Sequence, residues 1–265
     1  MTNLTPQPVT QLRYGIWHAV RAEVTKLSSL RSTTWTLLAT MVGTLLVTVL
    51  ATTNVHHHGG AIQQGFDPTN QSLTGLAIGA LTIGLLGILM ITGEYGSGTI
   101  RSSLAAIPRR RVFLGAKVMV IAAISLVVSE ILTFACFFTG QFILSGNAPV
   151  ASLGDPGVLR ALLMAGAYLA LLGMFGLALG VFLRHTAGAI TTFVGVMFLL
   201  PVLLQPLNAH GNPGRFTPEQ ILANSVAAVV PQSGQVSAGF GFALMTLYCA
   251  ITLGVAMLVL HRREA

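Results

Sequence analysis

Residues 158–183 read VLRALLMAGAYLALLGMFGLALGVFL, with Arg160 as the single charge. About 20 consecutive apolar residues carry a helix across the hydrocarbon core of a bilayer. A transmembrane barrel would instead show short alternating segments. Working outward, five further runs of this kind lie at about 33–53, 72–93, 117–145, 187–207 and 238–260. The expected fold is all-α: a polytopic membrane protein with six transmembrane helices, forming a single transmembrane domain over residues 1–265. Composition agrees, since 53% of the chain is apolar and only 8% charged, against about 25% charged in soluble domains. The mean hydropathy is +0.77. Such a chain has too little polar surface to cover a globule, which excludes a soluble enzyme, a disordered tail and a secreted disulfide scaffold. Cys136 and Cys249 sit inside apolar runs and read as packing residues.

The 14 basic residues against 7 acidic ones raise the net charge to +7. Their positions explain this without nucleic acid. Arg13, Arg21, Lys26 and Arg31 precede the first span; Arg101, Arg109, Arg110, Arg111 and Lys117 lie between spans two and three. Arg184 falls between spans four and five, and Arg262 and Arg263 follow span six. Only Arg160 and Arg215 lie on the other side, with Asp67, Asp155 and Glu219. Basic residues stay in the cytoplasm during insertion, so both termini are expected there. The long cationic stretch before the first span, with no small-residue cleavage site behind it, does not look like a signal peptide.

Residues 11–31, QLRYGIWHAVRAEVTKLSSLR, repeat apolar side chains at helical spacing: Leu12, Ile16, Val20, Leu27 and Leu30, with Trp17 and Val24 beside them. Arg13, Arg21, Glu23, Lys26 and Ser28 fill the other face. An interfacial elbow helix is expected, its basic side toward anionic head groups. It either bears sideways on a transport core or only orients span one.

Residues 93–117 read GEYGSGTIRSSLAAIPRRRVFLGAK. Gly93, Gly96 and Gly98 permit a sharp exit from span two. A short helix from Thr99 to Ile107 then places Ile100, Leu104 and Ile107 on one face, and Pro108 ends it. Two turns are not stable alone. The helix needs a surface to hold it, either another protein or the lipid surface.

In these residues the chain resembles the permease subunits of ATP-binding-cassette exporters of the ABC type-2 class, the small six-span actinobacterial type. The family's coupling-helix pattern is matched by Glu94, Gly98, Thr99, Arg101, Pro108 and Arg109 over the 94–108 loop. Its N-terminal opening is matched by Glu23, Lys26, Leu27 and Arg31. The resemblance implies export through the cell (plasma) membrane by two permease copies, or two related permeases, with two ABC ATPase subunits. It also implies that Ile100, Leu104 and Ile107 meet the ATPase while Glu94 and Arg101 orient the contact. ATP and Mg would sit on the partner. No cofactor is expected in this chain, because it has no GxxxxGK[ST] loop.

Residues 217–231, TPEQILANSVAAVVP, lie in the loop after span five. Thr217 as cap, Pro218 at the first position and Gln220 completing a capping box predict a helix ending at Pro231. Its stripe of Ile221, Leu222, Val226 and Val229 is interrupted by Ser225. It is too short to span, so a re-entrant or interfacial external helix is expected, acting as a gate or as a packing lid. His56, His57 and His58 read as a solvated turn before Gly59 and Gly60 rather than a metal site, because consecutive histidines do not converge on one ion.

Glu130 is the one acid inside a span. Thr133 and Gln141 share its face, with Ser125 and Ser129 beside it. A carboxyl at membrane depth is a functional candidate: these residues line a polar pathway, or Glu130 is a neutral group holding helices together. Gly75-x-x-x-Gly79, Ala80-x-x-x-Gly84 and Gly87 in span two, and Gly166, Gly173 and Gly176-x-x-x-Gly180 in span four, read as helix contacts. Pro201 and Pro206 are expected to kink or end span five. An intramembrane enzyme is disfavoured, since neither HExxH nor GxSxG occurs. A passive channel or scaffold without an ATPase partner is the alternative to the permease.

Overall fold

The computed structural model describes residues 15–29, 31–58, 66–146, 148–206, 213–228 and 236–262. Leu12, Arg13, Leu30, Gly59, Gly60, Val229, Pro231 and Arg263 lie outside the described residues. The helices are α1 (Ile16–Ser29), α2 (Arg31–His58), α3 (Pro68–Ser72), α4 (Leu76–Gly96), α5 (Ile100–Ala106) and α6 (Arg110–Leu144). After them come α7 (Val158–Leu183), α8 (Thr186–Val194), α9 (Leu200–Leu204), α10 (Pro218–Ser225) and α11 (Ala238–Arg262). No strand occurs among the described residues. Among the described residues six segments are long and apolar enough to cross a membrane: Thr34–Asn54, Leu76–Gly96, Arg110–Leu144, Val158–Leu183, Thr186–Leu204 and Ala238–Arg262.

The small residues explain which spans are central. α4 and α7 are the most buried spans and pack on each other, with α6 and α11 flanking α7. A Cβ on Gly87 would fall 1.9 Å from the Gly173 carbonyl oxygen, and one on Gly176 would fall 2.2 Å from that of Gly84. Backbones approach this closely only without side chains. The remaining core divides by depth. One cluster, including Leu76, Leu132, Leu169, Phe193 and Ile221, runs toward the end that carries α3 and α10. The other, including Ile91, Ile100, Phe113, Ile121 and Leu260, lies at the opposite end, where α1 and α5 sit.

Several boundaries differ from the sequence expectation. Span two is preceded by a separate helix, because Asp67 caps α3 through Thr69 N (2.9 Å) and Asn70 N (3.1 Å), and Pro68 opens it. The break at residues 73–75 falls where α2 crosses: a Cβ on Gly75 would lie 2.3 Å from the Thr44 carbonyl oxygen. Span three begins at Arg110, two residues after Pro108, rather than near 117. Arg110 then donates to the Leu260 and His261 carbonyls, supplying donors to the open end of α11. The turn expected at His56–His58 is not there, because α2 continues through His58.

Span five is distorted as Pro201 requires, but by a widened turn. Pro201 has no N–H to close an α-turn onto Met197. Residues Gly195–Leu199 form a π-helical turn instead, with the Leu200 N–H reaching the Gly195 carbonyl. The external helix begins at Pro218 as expected, without the capping box. The Thr217 hydroxyl turns back to donate to the Gly214 carbonyl at 2.7 Å, and no side chain caps α10. α10 is held down by Tyr168, whose hydroxyl donates to the Pro218 carbonyl at 2.6 Å. The stretch after it is pinned by Arg160 donating to the Ala227 carbonyl and by the Ala228 N–H donating to Asp67.

Candidate functional site

At the end carrying α1 and α5, four charges from three helices meet. Lys117, on α6, is fully buried, with Nζ 2.7 Å from Glu23 Oε2 and 2.8 Å from Glu94 Oε1. Lys26, three residues beyond Glu23 on α1, reaches Glu94 Oε1 at 2.9 Å and Glu23 Oε1 at 3.1 Å. Two cations and two anions thus alternate around a closed, neutral ring. A buried charge is tolerable only when paired in this way. The Phe113 ring adds a further contact, 5.1 Å from Lys117 Nζ. Burial works against the Lys26 charge, but the Glu94 and Glu23 carboxylates together outweigh it and hold its ammonium above the usual value.

α1 is oriented by this ring, which corrects the expected division of its two faces. Its buried line is Ala19 and Glu23, while Trp17 and Val24 are exposed. The polar face expected to meet head groups therefore turns Glu23 and Lys26 inward. The reason is Lys117: an ammonium inside the bundle demands carboxylates more strongly than the apolar stripe demands burial. Leu27 is half-buried against the same core, and Arg31 opens α2.

α5 hangs directly on the ring, because Lys26 also donates to the Ser103 hydroxyl at 3.3 Å. The helix runs from Ile100, with Thr99 and Ile107 as its flanking residues. The turn before it uses Gly98 alone, at φ +72°, a conformation in which a side chain is strained. Gly93 and Gly96 remain within α4, so the expectation that they shape the exit is corrected. The apolar face of α5 is also reassigned. Ile100 is 4% exposed within the chain's own core, and Leu104 and Ile107 pack against that core. Part of the surface this short helix needs is supplied by its own chain. Arg101, Ser102, Ala105, Ala106, Pro108 and Arg109 face outward instead. Beside them a cleft of about 520 Å³ opens between α1 and α5, lined in part by Lys26, Glu94, Ser97 and Ser102.

The mid-membrane candidates separate. Gln141 donates to the Pro68 carbonyl and the Ser72 hydroxyl, both at 3.0 Å, and accepts from Ala151 N at 2.7 Å. Its amide holds α3 and the following loop to α6, apart from Glu130. The Glu130 carboxyl lies against Gly166 of α7, where an added Cβ would meet it at 2.4 Å. Its Oε2 has no hydrogen-bond partner among the described residues, and neither do the buried hydroxyls of Ser125, Ser129 and Thr133.

Lys117 is the functional residue that sequence reasoning misses, since it counts there only toward charge asymmetry. The available signal was its place in VFLGAKVMVIA, where a lysine already stands among apolar residues.

These features define a polytopic helical membrane domain whose charged machinery is gathered at one end. The chain belongs to the ABC-2 family of transporter proteins, whose family model matches residues 19–204. That match takes in α1 through α9, and with them the charge ring and α5. Membership makes the chain a transport subunit and implies partnership with an ABC ATPase. No curated protein matches it.

Proposed function

We propose that this chain is the permease subunit of an ATP-driven exporter in the cell membrane, with both termini cytoplasmic. It would work as a pair with a second copy or a related permease, driven by two ATPase subunits that carry ATP and Mg. The observation that carries the reading is the ring of Glu23, Lys26, Glu94 and Lys117 with α5 attached through Ser103. A partner pressing on α5 loads α1, α4 and α6 together, so that closure of an ATPase dimer becomes a rigid-body movement of the spans. The grip falls on the outward face, at Arg101, Ser102 and Arg109, with the cleft between α1 and α5 to receive a partner side chain. Ile100, Leu104 and Ile107 anchor the helix from within. Along the pathway, Glu130 and Thr133 supply polar groups at membrane depth. The test is copurification of an ABC ATPase with the tagged chain, followed by ATP-dependent export into proteoliposomes. A chain that works with no nucleotide-driven companion would be the passive channel or scaffold instead.

A further inference from the structure

At the end opposite the charge ring, an apolar pocket of about 380 Å³ opens between span five and α11. This volume is within the range of small-molecule sites. Val196 and Leu200 form one wall, Ile251 and Thr252 the other, and Phe175 stands between them. The first wall is the π-helical turn Gly195–Leu199 and the residue after it. Such turns reshape a helix locally and recur at binding sites. Tyr248 and Thr252 lie ten and fourteen residues beyond Ala238 on α11. At 1.5 Å per residue the lining from Val196 to Leu204 runs about 12 Å along span five. Phe216 also lines the pocket, and its carbonyl accepts from the Tyr248 hydroxyl at 3.3 Å.

The Arg215 guanidinium lies 4.7 Å from the centre of the Phe216 ring. Among the described residues it makes no hydrogen bond or ion pair, and its Nε is buried without an acceptor. The nearby Glu219 carboxylate instead accepts from Gln220 at 2.8 Å. A guanidinium offers five N–H donors and cannot lose its charge. Arg215 stands on Phe216, which lines the pocket, and an apolar slot with a cation beside it fits a molecule with a hydrocarbon chain and an anionic head.

We propose that this pocket binds a single-chain amphiphile with an anionic head group, the chain lying between span five and α11 and the head on Arg215, and that such molecules are a substrate class of the transporter. The proposal rests on the permease reading for the word substrate, but its test needs no ATPase. Failure of binding would leave the coupling reading standing, and a chain with no ATPase partner would still show the binding.

The measurement is competition against a fluorescent fatty acid on the purified chain in a neutral detergent, with hexadecanoate, hexadecanol and hexadecylamine as probes. Hexadecanoate is expected to bind roughly tenfold more tightly than hexadecanol, the effect of one charge-assisted contact, and hexadecylamine more weakly still. Arg215→Gln should erase this order while leaving hexadecanol unchanged. Ile251→Trp should weaken all three by filling the slot. Equal affinities for the three probes, or an order that survives Arg215→Gln, overturns the proposal. So does an Ile251→Trp protein that binds all three normally but has lost self-association, which would give the pocket to a second copy. Should Ile251→Trp fail to fold, Arg215→Gln decides alone, because beyond its stacking on Phe216 that side chain makes no hydrogen bond or ion pair among the described residues.

Discussion

Lys117 and Glu23 stand 94 residues apart in the chain and 2.7 Å apart in space. The contact ties a helix before the first span to the start of the third, across a site where neither charge meets water freely. Removing one partner of such a pair leaves the other buried and uncompensated.

Lys117→Met is therefore expected to destabilise the protein by about 3–5 kcal/mol, read as a lower unfolding temperature in detergent. Adding Glu23→Gln and Glu94→Gln to it should restore part of that loss, because the stranded carboxylates are then neutral. No recovery in the triple variant would mean that the ring is not the source of the effect.

The same ring makes a pH prediction through Lys26. Its ammonium is held above the ordinary 10.5 by the two carboxylates, so folding favours its protonated form. The stabilisation is fully present below pH 10.5 and fades as pH rises through the higher folded value. Stability measured from neutral pH upward should fall more steeply in the parent than in Lys26→Met. The difference should be small, because the Lys26 side chain is 45% exposed and solvent screens it.

The two faces of α5 should respond differently. Leu104→Asp places a carboxylate against the chain's own core and is expected to cost about 1–3 kcal/mol of stability, seen as a lower unfolding temperature. Arg101→Glu, on the exposed face, should leave that temperature unchanged while removing ATPase-driven transport. Normal transport by Arg101→Glu would move the partner's grip elsewhere.

Close approach of α4 and α7 is tested at glycine. Gly87→Ala should destabilise by about 1–3 kcal/mol or more, since the obstacle is the Gly173 backbone and not a movable side chain. Gly93→Ala, in the same helix with open space around it, should be neutral or stabilise by about 0.5–1 kcal/mol. Thermal unfolding of both variants checks the contrast.

Glu130→Gln preserves shape and removes the charge. If this carboxyl serves the pathway, export should slow while the unfolding temperature stays put. Export at the parent rate would leave Glu130 a packing group against Gly166.

Six spans, the break at Pro108 and the helix start at Pro218 were legible in the sequence, because chain length, hydropathy and proline act locally. The glycine faces were legible as contacts, though not which partner each would meet. Likewise, the periodicity of Ile100, Leu104 and Ile107 correctly marked one apolar face of a short helix, but not whose surface would cover it. That depended on where α1 and α6 place Leu27, Phe113 and Leu114, a matter of packing between distant segments. Lys117 shows the same limit most sharply. Its charge was visible from the outset, yet its meaning required Glu23 and Glu94 to arrive beside it, and electrostatic pairing is set by distance in space, which only the assembled bundle defines.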